Sequence, residues 1–327
     1  MTTSSSPRSN PTDIIQPDML RVDQVIIERL TTEVPLVREV AQYIISAGGK
    51  RLRPALMLLF SGALGCQNPH RHTLAAVVEF IHTATLLHDD VVDESTLRRG
   101  RETANERFGN AASVLVGDFL YSRAFQMMVD VNNMRVMQVL SEATNVIAEG
   151  EVLQLMNMRD ASLSEADYLR VIRSKTAKLF EASARLAPIL AGADAATEAL
   201  CATYGQALGT AFQVIDDVLD YEGNPQELGK NLGDDLREGK VTLPIIFALR
   251  TCSAAQKTLI CQAIEHGDVA HLDDILAIVL ETGALQQTKA CAMAEAERAV
   301  HAARQLPDNA YTRALLELAT GLTDRRT

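Results

Sequence analysis

Two aspartate clusters share one pattern, Asp89-Asp90-Val91-Val92-Asp93 and Asp216-Asp217-Val218-Leu219-Asp220. On a helix, residues four apart stack on one face. Asp89 and Asp93 then present two carboxylates in one direction, and Asp216 and Asp220 do the same from a second helix. Aspartate is a poor helix former, and like charges four apart cost a helix roughly 0.2–0.5 kcal/mol. Repeating that arrangement beside apolar runs, Phe80 to Leu87 and Ala211 to Ile215, makes sense if something strongly cationic binds between the clusters. Hard oxygen ligands on rigid helices suit Mg2+, which takes one or two carboxylates and completes its shell with phosphate oxygens and water. A lone cluster can be a solvated helix end; two of matching pattern argue for a site.

Basic residues follow each cluster: Arg98-Arg99-Gly100-Arg101 after the first, and Gly229-Lys230-Asn231 through Gly239-Lys240 after the second. Arginine's planar fork grips phosphate oxygens in pairs, whereas lysine acts as a mobile point charge. Either stretch alone reads as solvated surface, but beside the carboxylates it turns a metal site into a diphosphate site. Gly48-Gly49-Lys50-Arg51-Leu52-Arg53-Pro54 is a further candidate, a glycine turn leading into a helix start whose N–H groups attract anions. Ser174-Lys175-Thr176-Ala177-Lys178 offers two more cations inside a helical stretch. Glu79-Phe80-Ile81-His82 is a Glu-x-x-His, yet a di-iron bundle needs a second such motif, and none exists. At about 100° per residue His82 lies roughly 20° around the helix from Asp89, so it can serve the acidic face as a hydrogen-bond donor.

The elements that must position these residues read as helices throughout. Apolar residues recur at three- and four-residue steps in Val22–Leu30 and, after Pro35, in Val37–Ile44. Pro54 fits the first turn of a helix running to about Leu64, and a long helix is predicted over His72–Asp93. Further helices are predicted near Ala111–Val129, Arg135–Met158, Glu165–Leu190, Ala195–Tyr221, Val241–Arg250, Ala254–Glu265, His271–Glu281, Leu285–Leu306 and Asn309–Leu322. Ser164 with Asp167 makes a helix-start cap, and Pro188 should kink or end its helix. Residues 94–110 are polar and basic without helical periodicity, which predicts a loop. No sustained alternation of period two occurs, so the expected fold is all-α: a disordered tail over 1–17, then one large helical domain over 18–327. Thr83-Ala84 and Thr210-Ala211 stand at the same offset before their clusters, a weak repeat that fits two facing halves and equally fits chance.

Hydrophobic residues make up 47% of the 327, with no Trp and 4% aromatics, so the core must be aliphatic. The net charge of −11 argues against a nucleic-acid surface, which needs basic patches, and is compatible with metal-bridged anions. Five scattered cysteines without a CxxC suggest a reducing cytoplasm. The Ser/Thr/Pro-rich start lacks an apolar core and no uncharged run of membrane-spanning length exists, so neither a secretory signal nor a membrane span is expected.

Together these residues resemble the trans-polyprenyl diphosphate synthases, and within them the octaprenyl-forming bacterial members. The resemblance runs from about Arg21 onward through GGKRLRP at 48–54, FIHTATLLHDDVVDES at 80–95, LRRG at 97–100, VGDFLYSRAF at 116–125, AEGEVLQL at 148–155, KTAKLFE at 175–181, FQVIDDVLD at 212–220 and GKNLGDDLREGKVTLP at 229–244. It implies an isoprenoid-synthase helical bundle with a central apolar cavity. The implied activity is Mg2+-dependent head-to-tail condensation of isopentenyl diphosphate onto an allylic diphosphate such as farnesyl diphosphate. Carried over by position, Asp89, Asp93 and Asp216 would hold the metal, while Asp90, Asp217 and Asp220 would orient ligands or waters. Arg98, Lys175, Thr176, Gln213, Lys230 and Lys240 would contact the allylic diphosphate; Lys50, Arg53, His82 and Arg99 would hold isopentenyl diphosphate. A homodimer and transient membrane contact during release of an apolar product are also implied.

Product length depends on the residues upstream of the first cluster. Thr85 lies roughly 40° and Ile81 roughly 80° around the helix from Asp89, and Phe80 points the opposite way. Small Ala84 and Thr85, with Ile81, therefore leave room for a long chain, and Met127, Met128, Val131 and Met134 are candidate floor residues that could equally be ordinary core. Nonaprenyl, decaprenyl or shorter geranylgeranyl products remain alternatives. A terpenoid cyclase would replace the second cluster with an Asn/Ser/Glu motif, and a non-catalytic partner subunit would lack the acidic motifs; both clusters are intact here.

Overall fold

The computed structural model describes residues 10–222, 232–267 and 270–322. After a 3-10 turn at Asp13–Ile15 come α1 Gln16–Arg29, α2 Pro35–Ser46, α3 Leu52–Ala63 and α4 His70–Val92. A two-residue ladder, β1 Leu97–Arg98 with β2 Arg101–Glu102, precedes α5 Ala104–Phe108, α6 Asn110–Asp130 and α7 Met134–Met156. α8 Glu165–Ile172 runs through a π-helical turn at Arg173–Ala177 into α9 Lys178–Ala191, followed by α10 Ala195–Glu222. The remainder is α11 Asp234–Arg237, α12 Leu243–Thr251, α13 Ala254–His266, α14 Leu272–Glu281, α15 Ala284–Ala303 and α16 Ala310–Gly321. The fold is all-α, as the period of the apolar residues predicts.

Local chemistry sets the helix ends. Ser164 accepts from the N–H of Asp167 and starts α8, Asn133 caps α7, and Ser253 with Gln256 closes a reciprocal capping box on α13. Pro188 is accommodated near the end of α9, which stops at Ala191 because Gly192 takes a left-handed conformation (φ 67°). The buried apolar residues form two clusters that meet along α10. Tyr204, Ala207, Leu208 and Ala211 belong to one; Val214, Ile215, Val218 and Leu219 belong to the other. Around α10 pack α9 and α15, and α4 packs along α6. Small side chains permit this approach: a Cβ at Gly205 would sit 2.5 Å from the Phe180 carbonyl oxygen, and one at Gly209 2.7 Å from Ala177 Cα.

Two expectations need correction. The tail expected over 1–17 does not hold for its described part, because Ile15 is fully buried in the first cluster and α1 begins at Gln16. The stretch 94–110 is not a simple loop: Arg99 (φ 54°) and Gly100 (φ 72°) form a hairpin turn of the kind that needs two positive φ values, closing the β1–β2 ladder in the register Leu97↔Glu102. Two-residue strands are too short to leave a period-two signal. Among the described residues no helix is long and apolar enough to cross a membrane.

Candidate active site

The C-terminal turn of α4 sorts its aspartates. Asp89 and Asp93, four apart, line a cleft of about 680 Å³. Asp90 turns inward, is wholly buried, and accepts from Arg98 through Nη2 (2.6 Å) and Nε (2.9 Å). This pair fixes the guanidinium of Arg98 at the cleft wall. Burial opposes its charge, but the Asp90 bonds and the nearby Asp89 and Asp93 hold its pKa above the usual value. Burial also raises the pKa of Asp89, with Lys175 opposing the shift and Asp93 adding to it.

α10 sorts its cluster differently at the last position, and the shared face expected for Asp216 and Asp220 is not found, because Asp220 is drawn inward to the backbone of Asp235. Asp216 lines the same cleft, while Asp217 and Asp220 are buried. Asp217 accepts from the Tyr168 hydroxyl of α8 and from Gln213 Nε2 (2.9 Å). Gln213 Oε1 in turn accepts from the Thr176 hydroxyl at 3.0 Å. Asp220 accepts the backbone N–H of Asp235 at 3.2 Å, tying α10 to α11. The inner aspartates of both motifs therefore hold protein groups in place.

The π-helical turn bulges Lys175 and Thr176 into the cleft, a distortion common at functional sites. Gly150 of α7 makes room for it: an added Cβ would lie 2.8 Å from Lys175 N. Lys175 Nζ is 2.7 Å from Glu151 and 3.7 Å from Asp89. Lys240 Nζ is 2.6 Å from Glu238 and 2.8 Å from Asp93. Burial disfavours the Lys240 charge, but Asp93 and Glu238 outweigh it and its pKa is raised. The Glu151 carboxyl is pushed up to about 7, by burial first and by Asp89 next. Lys230 lies outside the described residues.

The other predicted phosphate residues gather at the same cleft: Lys50, Arg53, His82 and Arg99 all line it. Gly48 (φ 73°) and Gly49 (φ 145°) shape the turn before α3. A side chain at Gly49 would collide with Arg99, whose Nη1 lies 2.7 Å from the Cβ position. Arg53 spans the Phe180 ring at 4.4 Å and its Nε is buried without an acceptor among the described residues. Burial lowers its pKa to about 10. An anion with oxygens in reach would satisfy it. At His82 only Nδ1 is left to donate. Arg53 Nη1 stands 3.2 Å from His82 Nε2, and arginine can only donate, so this ring nitrogen accepts. Burial and the neighbouring arginines keep the imidazole neutral, its pKa well below the usual value.

The chain-length candidates divide. Thr85 lines the cleft, its hydroxyl bonded to the His82 carbonyl at 2.8 Å. Ala84 and Ile81 are fully buried and do not line this cleft. Met127 and Met128 are core, whereas Met134 is 81% exposed at the start of α7, so it forms no floor. The cleft's apolar wall consists of Leu52, Leu86, Leu97, Phe180, Phe212 and Leu219. Glu151, Glu238 and Tyr168 are unanticipated. The first two stand in the quoted AEGEVLQL and LREGK segments, but the Lys175 that Glu151 meets and the Asp93 that shares Lys240 with Glu238 lie on other elements, so no spacing signals the arrangement.

The donor set fits a divalent metal ion. Asp89, Asp93 and Asp216 supply hard oxygens to one cleft. Among the described residues no three such side chains close an all-protein cage.

Comparison with known proteins supplies the context. The chain is 51% identical over 313 residues to the octaprenyl diphosphate synthase of Haemophilus influenzae, covering 95% of each chain. It is 46% identical to the geranyl-diphosphate-specific all-trans-nonaprenyl-diphosphate synthase of Rhodobacter capsulatus, over 96% of this chain and 97% of the other. A polyprenyl synthase from Caulobacter crescentus, crystallised with calcium and isoprenyl diphosphate, superposes over the full length of both chains with a TM-score of 0.95 at 43% identity. The polyprenyl synthetase pattern matches residues 34–279, and with it the chain belongs to that family of prenyltransferases.

Proposed function

We propose that this chain is a long-chain trans-polyprenyl diphosphate synthase that extends an allylic diphosphate, such as farnesyl diphosphate, with isopentenyl diphosphate to an octaprenyl product. One observation carries the reading: Asp89 and Asp93 of α4, Asp216 of α10, Lys175, Lys240 and the arginines line a single cleft. Asp89, Asp93 and Asp216 would hold Mg2+, which when bound supplies Lewis-acid neutralisation of the diphosphate. Lys175, Lys240 and Arg98 would then donate to the allylic diphosphate, favouring cleavage of its C–O bond. Thr176 and Gln213 hold the adjoining wall. Lys50, Arg53 and Arg99 would fix isopentenyl diphosphate so that its double bond faces the allylic carbon, an advantage of position rather than of a protein nucleophile. Phe180, Phe212 and Leu219 would keep water from the cation. The departed diphosphate takes the proton that completes each step.

The similarity to octaprenyl synthases favours eight units over the nine made by the Rhodobacter relative. The resemblance also suggests a cytoplasmic homodimer, and exposed Leu115, Val152, Leu155 and Met156 on α6 and α7 supply an apolar surface for pairing. Mass analysis of the product from farnesyl and isopentenyl diphosphates with Mg2+ is the test. An octaprenyl diphosphate is expected, and no extension at all would overturn the reading.

A further inference from the structure

Each cleft lysine has two carboxylate partners on different elements. Lys175, in the π-helical turn, touches Asp89 of α4 and Glu151 of α7; Lys240 touches Asp93 and Glu238. In both pairs the glutamate is the nearer, 2.7 against 3.7 Å and 2.6 against 2.8 Å. The lysines thus act as internal counter-ions on the two aspartates that face the cleft. A divalent cation and a lysine cannot both claim those oxygens.

We infer that Glu151 and Glu238 are positioning residues that hold Lys175 and Lys240 in the cleft wall while Asp89 and Asp93 turn to the metal-bound diphosphate. The inference rests on the proposed function and adds the order of contacts to it. An ammonium has three donors. With one donor kept on the glutamate, a lysine releases its aspartate without becoming unpaired, and its remaining donors face the incoming phosphate oxygens. All four side chains are partly buried, with 17–18% exposure for the lysines and 25–29% for the glutamates, so an unpartnered ammonium here would be costly. Without the glutamate, the lysine's whole charge falls on the aspartate and competes with the metal.

Glu151→Asp and Glu238→Asp separate this role from a general field effect, because they keep the charge and shorten the reach. Mn2+ binding is followed by electron paramagnetic resonance at saturating inorganic pyrophosphate, with circular dichroism verifying the fold of each variant. The expected result is a rise of about five- to tenfold in the half-saturating Mn2+ concentration for each variant, the size of a typical coupling within a contacting network. Adding Lys175→Gln to Glu151→Asp should return that concentration close to the wild-type value. Unchanged Mn2+ binding in both aspartate variants overturns the inference while leaving the proposed function standing; so does a weakened Glu151→Asp that the lysine substitution fails to restore. A wild-type protein that binds no Mn2+ with pyrophosphate overturns both.

Discussion

Gly150→Ala probes the π-helical turn without touching a charged group. The new methyl would lie 2.8 Å from both Lys175 N and Ser174 Cβ, and 3.0 Å from Ser174 C, where ordinary contact begins near 3.4 Å. The turn must therefore retreat by about 0.6 Å or α7 must yield. Overpacking of this kind costs about 1–3 kcal/mol, and replacing a helical glycine by alanine returns about 1 kcal/mol, so the net loss is roughly 0–2 kcal/mol. In a chain of this size that is a fall of at most a few degrees in Tm. Activity should suffer more, because Lys175 and Thr176 ride on the displaced turn and a misplacement of about 1 Å can cost on the order of 100-fold. The assay pairs calorimetric Tm with kcat for condensation of isopentenyl diphosphate onto farnesyl diphosphate. A fall of about tenfold or more in kcat is expected. Gly321→Ala serves as control, since a methyl there meets nothing within 4 Å. Wild-type kcat in Gly150→Ala would refute the claim that the glycine sets the position of the lysine.

Thr85→Phe places a ring in the cleft and should shorten the product, read as chain length by reversed-phase chromatography; Ala84→Phe, at a fully buried site, should instead cost about 1–3 kcal/mol in urea denaturation. Asp90→Ala strips the buried partner of Arg98 and should destabilise the fold by about 3–5 kcal/mol, measured the same way. The Glu151 carboxyl, at about 7 against an ordinary 4.5, binds its proton more tightly in the folded than in the unfolded chain, so wild-type stability should fall as pH rises from about 4.5 to 7. Glu151→Gln should remove that decline, with a gain on the order of 1 kcal/mol at pH 8 relative to pH 5 in thermal melts; an equal offset at both pH values would contradict the shift.

Helices were legible because their signals are local: Ser164 and Asp167 mark α8, Pro35 opens α2, and the apolar periodicity of α4 and α10 survives the acidic residues they carry. The Asp89/Asp93 pair was legible from its spacing of four, but the same spacing misplaced Asp220, which is buried against the backbone of Asp235 while Asp216 faces the cleft. Which aspartate turns inward was not legible. Asp90 is buried because Arg98 arrives from a hairpin, and Asp217 because Tyr168 arrives from another helix. His82 shows the same limit: its angle on the wheel places it at the cleft, but only Arg53 on α3 decides that its Nε2 accepts. The π-helical turn leaves no period of its own, and its glycine counterpart Gly150 belongs to a helix adjacent in space.

The central claim is that the α4 and α10 carboxylates grip one metal-bound diphosphate together. Calorimetric titration of pyrophosphate with Mg2+ into wild type, Asp89→Asn, Asp216→Asn and the double variant tests it most directly. Joint grip predicts that either single substitution removes most of the affinity and the double removes little more. Unaltered affinity in Asp216→Asn, or losses that simply add, would contradict it.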